Sequence, residues 1–188
     1  MNNKITFIIP SIDRPTIDRT INSLHQQTDD RWEALIIYDG VEPQENYASD
    51  KITTITSKKL GSFGERHGHA GLVRNLGLDI VETDWIGFVD DDDSIHPNYV
   101  ERLFSNYSEH DLVVWRMYLA ELGCVVPRGN SIKYCDVGIS ISFKKKIVDA
   151  GIRFKENGET EDFYFIQDIL NVTDNFVITE EVYYNAGF

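Results

Sequence analysis

Four consecutive carboxylates, Asp90, Asp91, Asp92 and Asp93, follow an apolar stretch at residues 85–89 that has the length and composition of a buried strand. Adjacent aspartates repel one another and have low helix and strand propensity, so a fold gains no stability from keeping them together. We therefore expect a cation at this position, unless the run is simply a solvated acidic turn. Mg²⁺ or Mn²⁺ is the simplest candidate, because such hard ions are held by one or two carboxylates together with the phosphates of a substrate.

A second acidic cluster lies at residues 159–162 and includes Glu161 and Asp162. It precedes a stretch at 163–170 whose apolar residues recur at helical spacing, so the cluster is predicted at or near a helix N-terminus. That position favours an ionised carboxylate. A role in helix capping is the structural alternative to a catalytic role for these two residues.

The rest of the chain supplies the elements that position these groups, and its pattern predicts an α/β protein. Apolar runs at 5–9 and 33–38 predict buried strands, and a helical pattern that begins near Pro15 predicts the crossover that makes them parallel neighbours. Further strands are predicted at 51–56, 85–89, 111–119, 137–143, 175–179 and 182–184, with helices at 72–80, 97–107, 144–150 and 163–170. Residues 120–136 are predicted to be irregular, and the glycine-punctuated segment with His67 and His69 is interpreted as a loop.

Polar residues follow three of the predicted strands at the point where each strand ends. Pro10 and Ser11 follow the first strand, Asp39 the second, and Asp90 the central strand. In an open parallel α/β sheet, ligands bind beyond the carboxyl ends of the strands. The expected ligand has one end that an aspartate and a hydroxyl can hydrogen-bond and another that a metal can bind. A nucleoside diphosphate has both.

Composition restricts the partners. The chain has 188 residues, enough for one domain with a sizeable core, and a formal charge of −13 that argues against nucleic acid or an anionic membrane surface. Cys124 and Cys135 match no zinc-binding spacing and are interpreted as reduced thiols of a cytoplasmic protein. The apolar run at 5–9 is too short for a signal peptide, and no apolar run reaches the length of a membrane span, so we expect neither a signal peptide nor an intrinsic membrane segment.

Six short stretches together resemble glycosyltransferase family 2, whose members have the GT-A fold. They are PSIDRP at 10–15, INSLHQQT at 21–28, WEALIIYDG at 32–40, GLVRNLGL at 71–78, FVDDDD at 88–93 and TED at 160–162. The first four are weak singly, but their order and spacing, ending with the acidic run and TED, are specific over nearly the whole chain. The resemblance implies a single GT-A domain over residues 1–188, with a mostly parallel, Rossmann-like central sheet flanked by helices and a small additional β region toward the C-terminus. The nucleotide-binding half would be about 1–93, and the half that carries the acceptor site and catalytic base about 94–188.

The resemblance also implies roles for the polar residues. Those that bind the nucleotide would be Pro10, Ser11, Arg14, Asp39, Arg74, Asp90 and Asp91. Arg74 would lie along the base or near the phosphates. Asp90 and Asp92 would form the two ends of the family's Asp-x-Asp metal motif, with Asp90 towards the ribose and metal and Asp92 as the direct ligand of Mn²⁺ or Mg²⁺. Asp162 would be the catalytic base.

The predicted reaction is metal-dependent transfer of a single sugar, with inversion, from a nucleotide sugar to a saccharide or other acceptor hydroxyl, and UDP-hexose is the favoured donor. Transfer of a single sugar is expected because this sequence lacks the Gln/Arg-x-x-Arg-Trp motif of processive polysaccharide synthases. We expect an acceptor-binding segment that is small, missing or supplied by another domain of a longer natural protein. Two alternatives stay open: a nucleotide-sugar-binding module without catalysis, and a haloacid-dehalogenase-type phosphatase, whose Asp-x-Asp motif usually comes first in the chain and has Thr or Val where this chain has Ser94.

Overall fold

The computed structural model describes residues 3–62, 69–155 and 160–187. His67 and Glu159, which the sequence assigns to a loop and to the second acidic cluster, lie outside these ranges. The described residues form a nine-stranded sheet with the order β3-β2-β1-β4-β8-β6-β9-β5, and β7 pairs with β6. None of the helices in these ranges has the length and apolar character needed to span a membrane.

The first four strands are parallel and make up one side of the sheet. They are β1 (Ile5–Ser11), β2 (Trp32–Asp39), β3 (Ile52–Ser57) and β4 (Trp85–Phe88). Helix α1 (Ile17–His25) connects β1 to β2, and α2 (Gly71–Ile80) leads into β4. Every residue of β1 is buried, which explains why its sequence is a continuous apolar run rather than an alternating one.

The C-terminal half continues the same sheet with mixed pairing. Its strands are β5 (Ser94–Ile95), β6 (Leu112–Leu119), β7 (Cys124–Val126), β8 (Ile141–Lys144) and β9 (Phe176–Ala186). Its helices are α3 (Tyr99–Arg102), which continues as a π-helix at Leu103–Tyr107, α4 (Lys146–Asp149) and α5 (Glu161–Leu170). Strand β8 is antiparallel to both β4 and β6, whereas β9 is parallel to β6. The β region predicted toward the C-terminus is therefore an extension of the central sheet.

Strand β9 is continuous where the sequence predicts two short strands. Thr179 lies in its middle, where the register with β6 shifts. The Thr179 hydroxyl accepts a hydrogen bond from the Arg116 backbone N–H at 2.9 Å and donates one to the Glu181 carbonyl at 2.9 Å. These bonds satisfy backbone groups that an irregular ladder would leave unpaired, so the polar segment does not end the strand.

The antiparallel position of β8 determines which segments meet at the edge where β4 ends. Gly87 of β4 pairs with Ser142 of β8, so the amino end of β8 lies beside the carboxyl end of β4. The segment at 127–140, which enters β8, therefore reaches the edge from which the acidic run begins.

Aromatic packing fixes α5 against this part of the sheet. The Phe165 ring of α5 is stacked on Phe154 at a centroid distance of 4.0 Å and lies 5.9 Å from the ring of Phe88 in β4. Phe165 and Phe88 are fully buried. This packing sets the first turn of α5, with Glu161 and Asp162, beside the acidic run.

Candidate active site

The four aspartates after β4 alternate between partly exposed and buried positions. Asp90 and Asp92 each expose 33% of their side chains, whereas Asp91 and Asp93 are 1% and 5% exposed. The alternation divides the run into two carboxylates that a ligand can reach and two that belong to the interior.

Asp91 is bonded to two other residues that the sequence assigns to nucleotide binding. Its Oδ2 accepts a hydrogen bond from the Ser11 hydroxyl at 2.7 Å, and its Oδ1 lies 2.9 Å from Arg14 Nη2. Arg14 also pairs with Asp92 through Nη1. Burial raises the pKa of Asp91, while the Ser11 bond and the Arg14 charge lower it. The structure thus brings Ser11, Arg14 and Asp91 together as a bonded group beneath the exposed Asp92.

Asp93 is held by the C-terminal part of β9 and by the residue that follows this strand. Its Oδ2 accepts a hydrogen bond from the Tyr184 hydroxyl at 2.7 Å, and its Oδ1 accepts one from the Gly187 backbone N–H at 3.0 Å. Burial, with the charge of Asp90, raises the pKa of Asp93 to about 7 against the effect of these two bonds. The sequence did not indicate Tyr184, because nothing in the local pattern of β9 shows that it faces a residue 91 positions earlier.

Asp39 lies buried at the end of β2, next to Pro10 and Ser11 at the end of the neighbouring strand β1. Its two oxygens accept hydrogen bonds from the backbone N–H groups of Leu60 at 2.6 Å and Gly61 at 2.9 Å. Asp39 therefore anchors the segment that follows β3. Its assignment to the nucleoside base stays a prediction.

Arg74 connects the acidic run to α5. Its side chain is 3% exposed, and its Nη2 lies 2.5 Å from Asp90 Oδ1. Its Nη1 lies 3.1 Å from Glu161 Oε1 and 3.5 Å from Asp162 Oδ1. Burial acts to lower the pKa of Arg74, but the charges of the three carboxylates raise it above its ordinary value, so the guanidinium stays charged. One buried cation therefore faces three carboxylates.

Glu161 caps a helix, but the helix is α2 rather than its own. Its carboxylate accepts hydrogen bonds from the backbone N–H groups of Ala70 and Gly71, each at 2.9 Å. A Cβ on Gly71 would lie 2.5 Å from Glu161 Oε2, so only glycine permits this approach. The sequence alone does not indicate this contact, because the residues are 90 positions apart.

Asp162, in the first turn of α5, is a partly buried carboxylate. Its Oδ1 is buried and has no hydrogen-bond partner within the described ranges, although 30% of its side chain is exposed. Burial raises the pKa of Asp162 to about 7, and Asp90 and Glu161 add to this rise while Arg74 opposes it. Such a carboxyl can exchange a proton with a bound molecule at neutral pH.

Asp90 and Asp92 fit a divalent metal of the kind that a substrate phosphate helps to hold. Both offer hard oxygen donors at an exposed edge, and their bonds to Arg74 and Arg14 each involve only one carboxylate oxygen. Within residues 3–62, 69–155 and 160–187, no group of three or more His, Cys, Asp or Glu side chains is arranged to hold a metal. A metal here would therefore need ligands from the bound substrate.

Comparisons with known proteins identify the family to which the chain belongs. Residues 6–148 match the sequence profile of glycosyl transferase family 2. The matched range ends before α5 begins. The poly(ribitol-phosphate) beta-N-acetylglucosaminyltransferase TarP of Staphylococcus aureus (strain N315) is 27% identical over 207 residues. That alignment covers 96% of this chain and 62% of TarP, so the chain spans less than two thirds of this relative.

Solved structures share the fold. S. aureus TarS 1-349 in complex with UDP-GlcNAc matches with a TM-score of 0.76 at 21% identity, over 97% of this chain and 58% of that one. The mannosyltransferase PcManGT from Pyrobaculum calidifontis, in complex with GDP-Man and Mn²⁺, matches with a TM-score of 0.62 at 14% identity, over 97% of this chain and 56% of that one. The predicted GT-A fold is confirmed by these matches, and the profile match over residues 6–148 shows that the chain belongs to glycosyltransferase family 2.

Proposed function

We propose that this chain transfers a single sugar, with inversion, from a UDP-hexose to an acceptor hydroxyl, and that the reaction depends on a divalent metal. The observation that carries the proposal is the position of Arg74, which contacts both Asp90 of the acidic run and Asp162 of α5. A donor diphosphate bound at Asp90 would then be separated only by the Arg74 side chain from the Asp162 carboxyl, which is suited to proton transfer. A binding module without catalysis has no need for that proximity.

Asp162 is proposed as the general base. As the acceptor oxygen forms its bond to the anomeric carbon and the bond to the diphosphate breaks, the hydroxyl proton passes to the Asp162 carboxylate. A base with a pKa of about 7 is half ionised at neutral pH and accepts a proton more readily than an ordinary aspartate. Arg74 keeps the ionised form in place without bonding strongly to Oδ1, from which it is 3.5 Å away.

Asp90 and Asp92 are proposed to hold the metal. A bound Mg²⁺ or Mn²⁺ would neutralise the charge that develops on the leaving diphosphate. Arg14 lies beside Asp92 and close to the same edge, where it can contribute further positive charge. The protein's own residues thus supply both the ligands and part of the compensating charge.

The nucleoside is proposed to lie over the ends of β1 and β2, beside Pro10, Ser11 and Asp39. Asp39 and its bonds to the backbone at 60 and 61 would shape one wall of this site. Residues 1–93 would then form the nucleotide half and residues 94–188 the acceptor half of one domain. UDP-GlcNAc is the first donor to test, because TarS was crystallised with it and TarP is named for transfer of N-acetylglucosamine.

Calorimetry with UDP and UDP-GlcNAc, with Mn²⁺ and with excess chelator, tests the donor and metal claims. We expect binding with Mn²⁺ and little binding with chelator, because the diphosphate would otherwise face the acidic run. Asp92→Ala should remove the metal dependence, whereas Asp149→Ala, an exposed aspartate paired with Lys145, should not. Equal UDP affinity in chelator would contradict the metal bridge.

Product analysis separates the alternatives. A glycosyltransferase releases UDP from UDP-GlcNAc when an acceptor is present. A binding module releases nothing, and a phosphatase of the haloacid-dehalogenase type releases inorganic phosphate from phosphate esters.

A further inference from the structure

An aromatic surface begins at the residue that follows Asp162 in α5. The rings of Tyr134 and Phe163 meet edge to face at a centroid distance of 5.4 Å and an interplanar angle of 84°, and the ring of Tyr164 lies 5.7 Å from that of Phe163. Tyr134 is 56% exposed and Tyr164 is 44% exposed. Two of the three exposed aromatic side chains within the described ranges therefore contact the same ring, that of Phe163; the third, Phe176, begins β9.

The surface is built from two segments that both reach the proposed catalytic edge. Tyr134 belongs to the 127–140 segment, which enters β8 beside the carboxyl end of β4. Phe163 follows Asp162 directly in the first turn of α5. The contact between Tyr134 and Phe163 joins these segments within one helical turn of the proposed base.

The segment that carries Tyr134 is fixed by hydrogen bonds rather than by burial. Arg116 of β6 donates to the carbonyls of Pro127 and Gly129 and to the Asn130 side chain. Farther along, Asp136 accepts a hydrogen bond from the Arg128 backbone N–H at 3.1 Å. These bonds hold the segment in shape while Tyr134 stays open to solvent, which suits a surface prepared for a ligand.

We propose that Tyr134, Phe163 and Tyr164 form an acceptor subsite that binds one face of a pyranose ring. The proposal rests on the function proposed above. The C–H bonds on a pyranose face carry partial positive charge and pack against the negative face of an aromatic ring. A ring seated here lies next to Asp162, so one of its hydroxyls, or one on the adjoining sugar, can reach the base. The subsite thus selects a saccharide acceptor over a simple alcohol.

The test uses methyl pyranosides of glucose, galactose and N-acetylglucosamine as acceptor probes and UDP-GlcNAc as donor. Saturation-transfer NMR of each methyl pyranoside with the whole protein reports binding without turnover. We expect signal on the C–H protons of one ring face in the wild type, and loss of that signal in Tyr134→Ala. The acceptor KM should rise about tenfold or more in Tyr134→Ala, on the scale of one lost ring contact.

Matched variants make the test specific. Tyr134→Phe and Tyr134→Trp keep a ring and should retain acceptor binding, and Phe176→Ala removes an exposed aromatic at another place and should change neither readout. UDP affinity, measured by calorimetry, should be the same in Tyr134→Ala as in the wild type. A Tyr134→Ala protein that also loses UDP affinity would assign the ring a structural role and overturn the subsite.

Other outcomes separate this inference from the proposed function. If the wild type binds UDP and transfers sugar while Tyr134→Ala has an unchanged acceptor KM, the proposed subsite is wrong. The proposed glycosyltransferase activity is then still supported. If the wild type does not bind UDP at all, the proposed function fails first. A wild type that self-associates in size-exclusion chromatography, with Tyr134→Ala monomeric, would make this surface an interface between copies and overturn the subsite.

Discussion

The acidic run after β4 and the first turn of α5 each hold a bonded carboxylate, but the α5 turn also holds Asp162, whose Oδ1 is bonded differently. Asp93 is satisfied by Tyr184 and Gly187. Glu161 is satisfied by two backbone N–H groups and Arg74. Within the described residues, the buried Oδ1 of Asp162 has no hydrogen bond, and the Arg74 guanidinium lies 3.5 Å from it. Carboxylates with both oxygens bonded stabilise the positions of the segments around them, whereas a carboxylate with an unbonded buried oxygen keeps its capacity to take a proton from a ligand.

The largest effect is expected at Asp162. Asp162→Asn keeps the shape of the side chain but removes its proton affinity, so sugar transfer should fall by roughly 100-fold to 10,000-fold while UDP affinity is retained. Steady-state transfer and calorimetry on the same preparation measure both quantities. Asp168→Asn, on the same helix but paired with Lys155, is the matched control and should retain near wild-type turnover.

The next effect concerns the cation that both regions share. Arg74→Met would leave Asp90, Glu161 and Asp162 without their common partner, and the free energy of unfolding should fall by about 3 to 5 kcal/mol. Urea denaturation measures the change. Lys145→Met removes an exposed pair with Asp149 and should cost less than about 1 kcal/mol. Equal losses in the two variants would show that Arg74 does not hold the regions together.

The pH dependence of stability should reveal the elevated pKa of Asp162. Its pKa is about 7 in the folded protein and near 3.8 when unfolded, so the folded state binds more protons between these values. Stability should therefore fall as pH rises from about 4 to about 7. In Asp162→Asn, residue 162 has no carboxyl to ionise, so this loss of stability with rising pH is absent. At pH 8 the variant should be more stable than the wild type by about 1 to 3 kcal/mol. Parallel stability curves for the two proteins over that range would contradict the assignment.

A smaller effect is expected where a bonded carboxylate loses one donor. Tyr184→Phe removes the hydroxyl that donates to Asp93 and should lower the free energy of unfolding by about 1 to 2 kcal/mol. Tyr47→Phe removes an exposed hydroxyl bonded to Asp18 and should cost less than about 0.5 kcal/mol. Thermal unfolding compares the pair, and an unchanged Tyr184→Phe protein would argue that the Asp93 bond has no structural role.

Local sequence pattern predicted the elements buried on both faces of the sheet. β1, β2 and β4 lie where continuous apolar runs predict them, because burial on both faces leaves a strong signal. β7 was predicted to be irregular and this was wrong, since a strand of three residues depends on the neighbour it pairs with, here the end of β6. The sequence indicated a helix over 97–107 but not that its second half is a π-helix.

The carboxylates of the candidate site could be named from the sequence, but their contacts could not. The acidic run and the TED stretch identified the carboxylates, because their types and positions in the chain are visible. The burial of Arg74 between them, and the capping of α2 by Glu161, join residues that are 87 and 90 positions apart and leave no local pattern. The aromatic surface at Tyr134 was missed for the same reason.

The pKa of Asp162 tests most directly whether this carboxyl can act as the base. A ¹³C NMR titration of the aspartate carboxyl carbons, compared between the wild type and Asp162→Asn, isolates its signal from that of Asp93, which also titrates near neutrality. The structure predicts a midpoint of about 7 for Asp162 in the protein without donor. A midpoint near 4, the value of an ordinary solvated aspartate, would contradict the account.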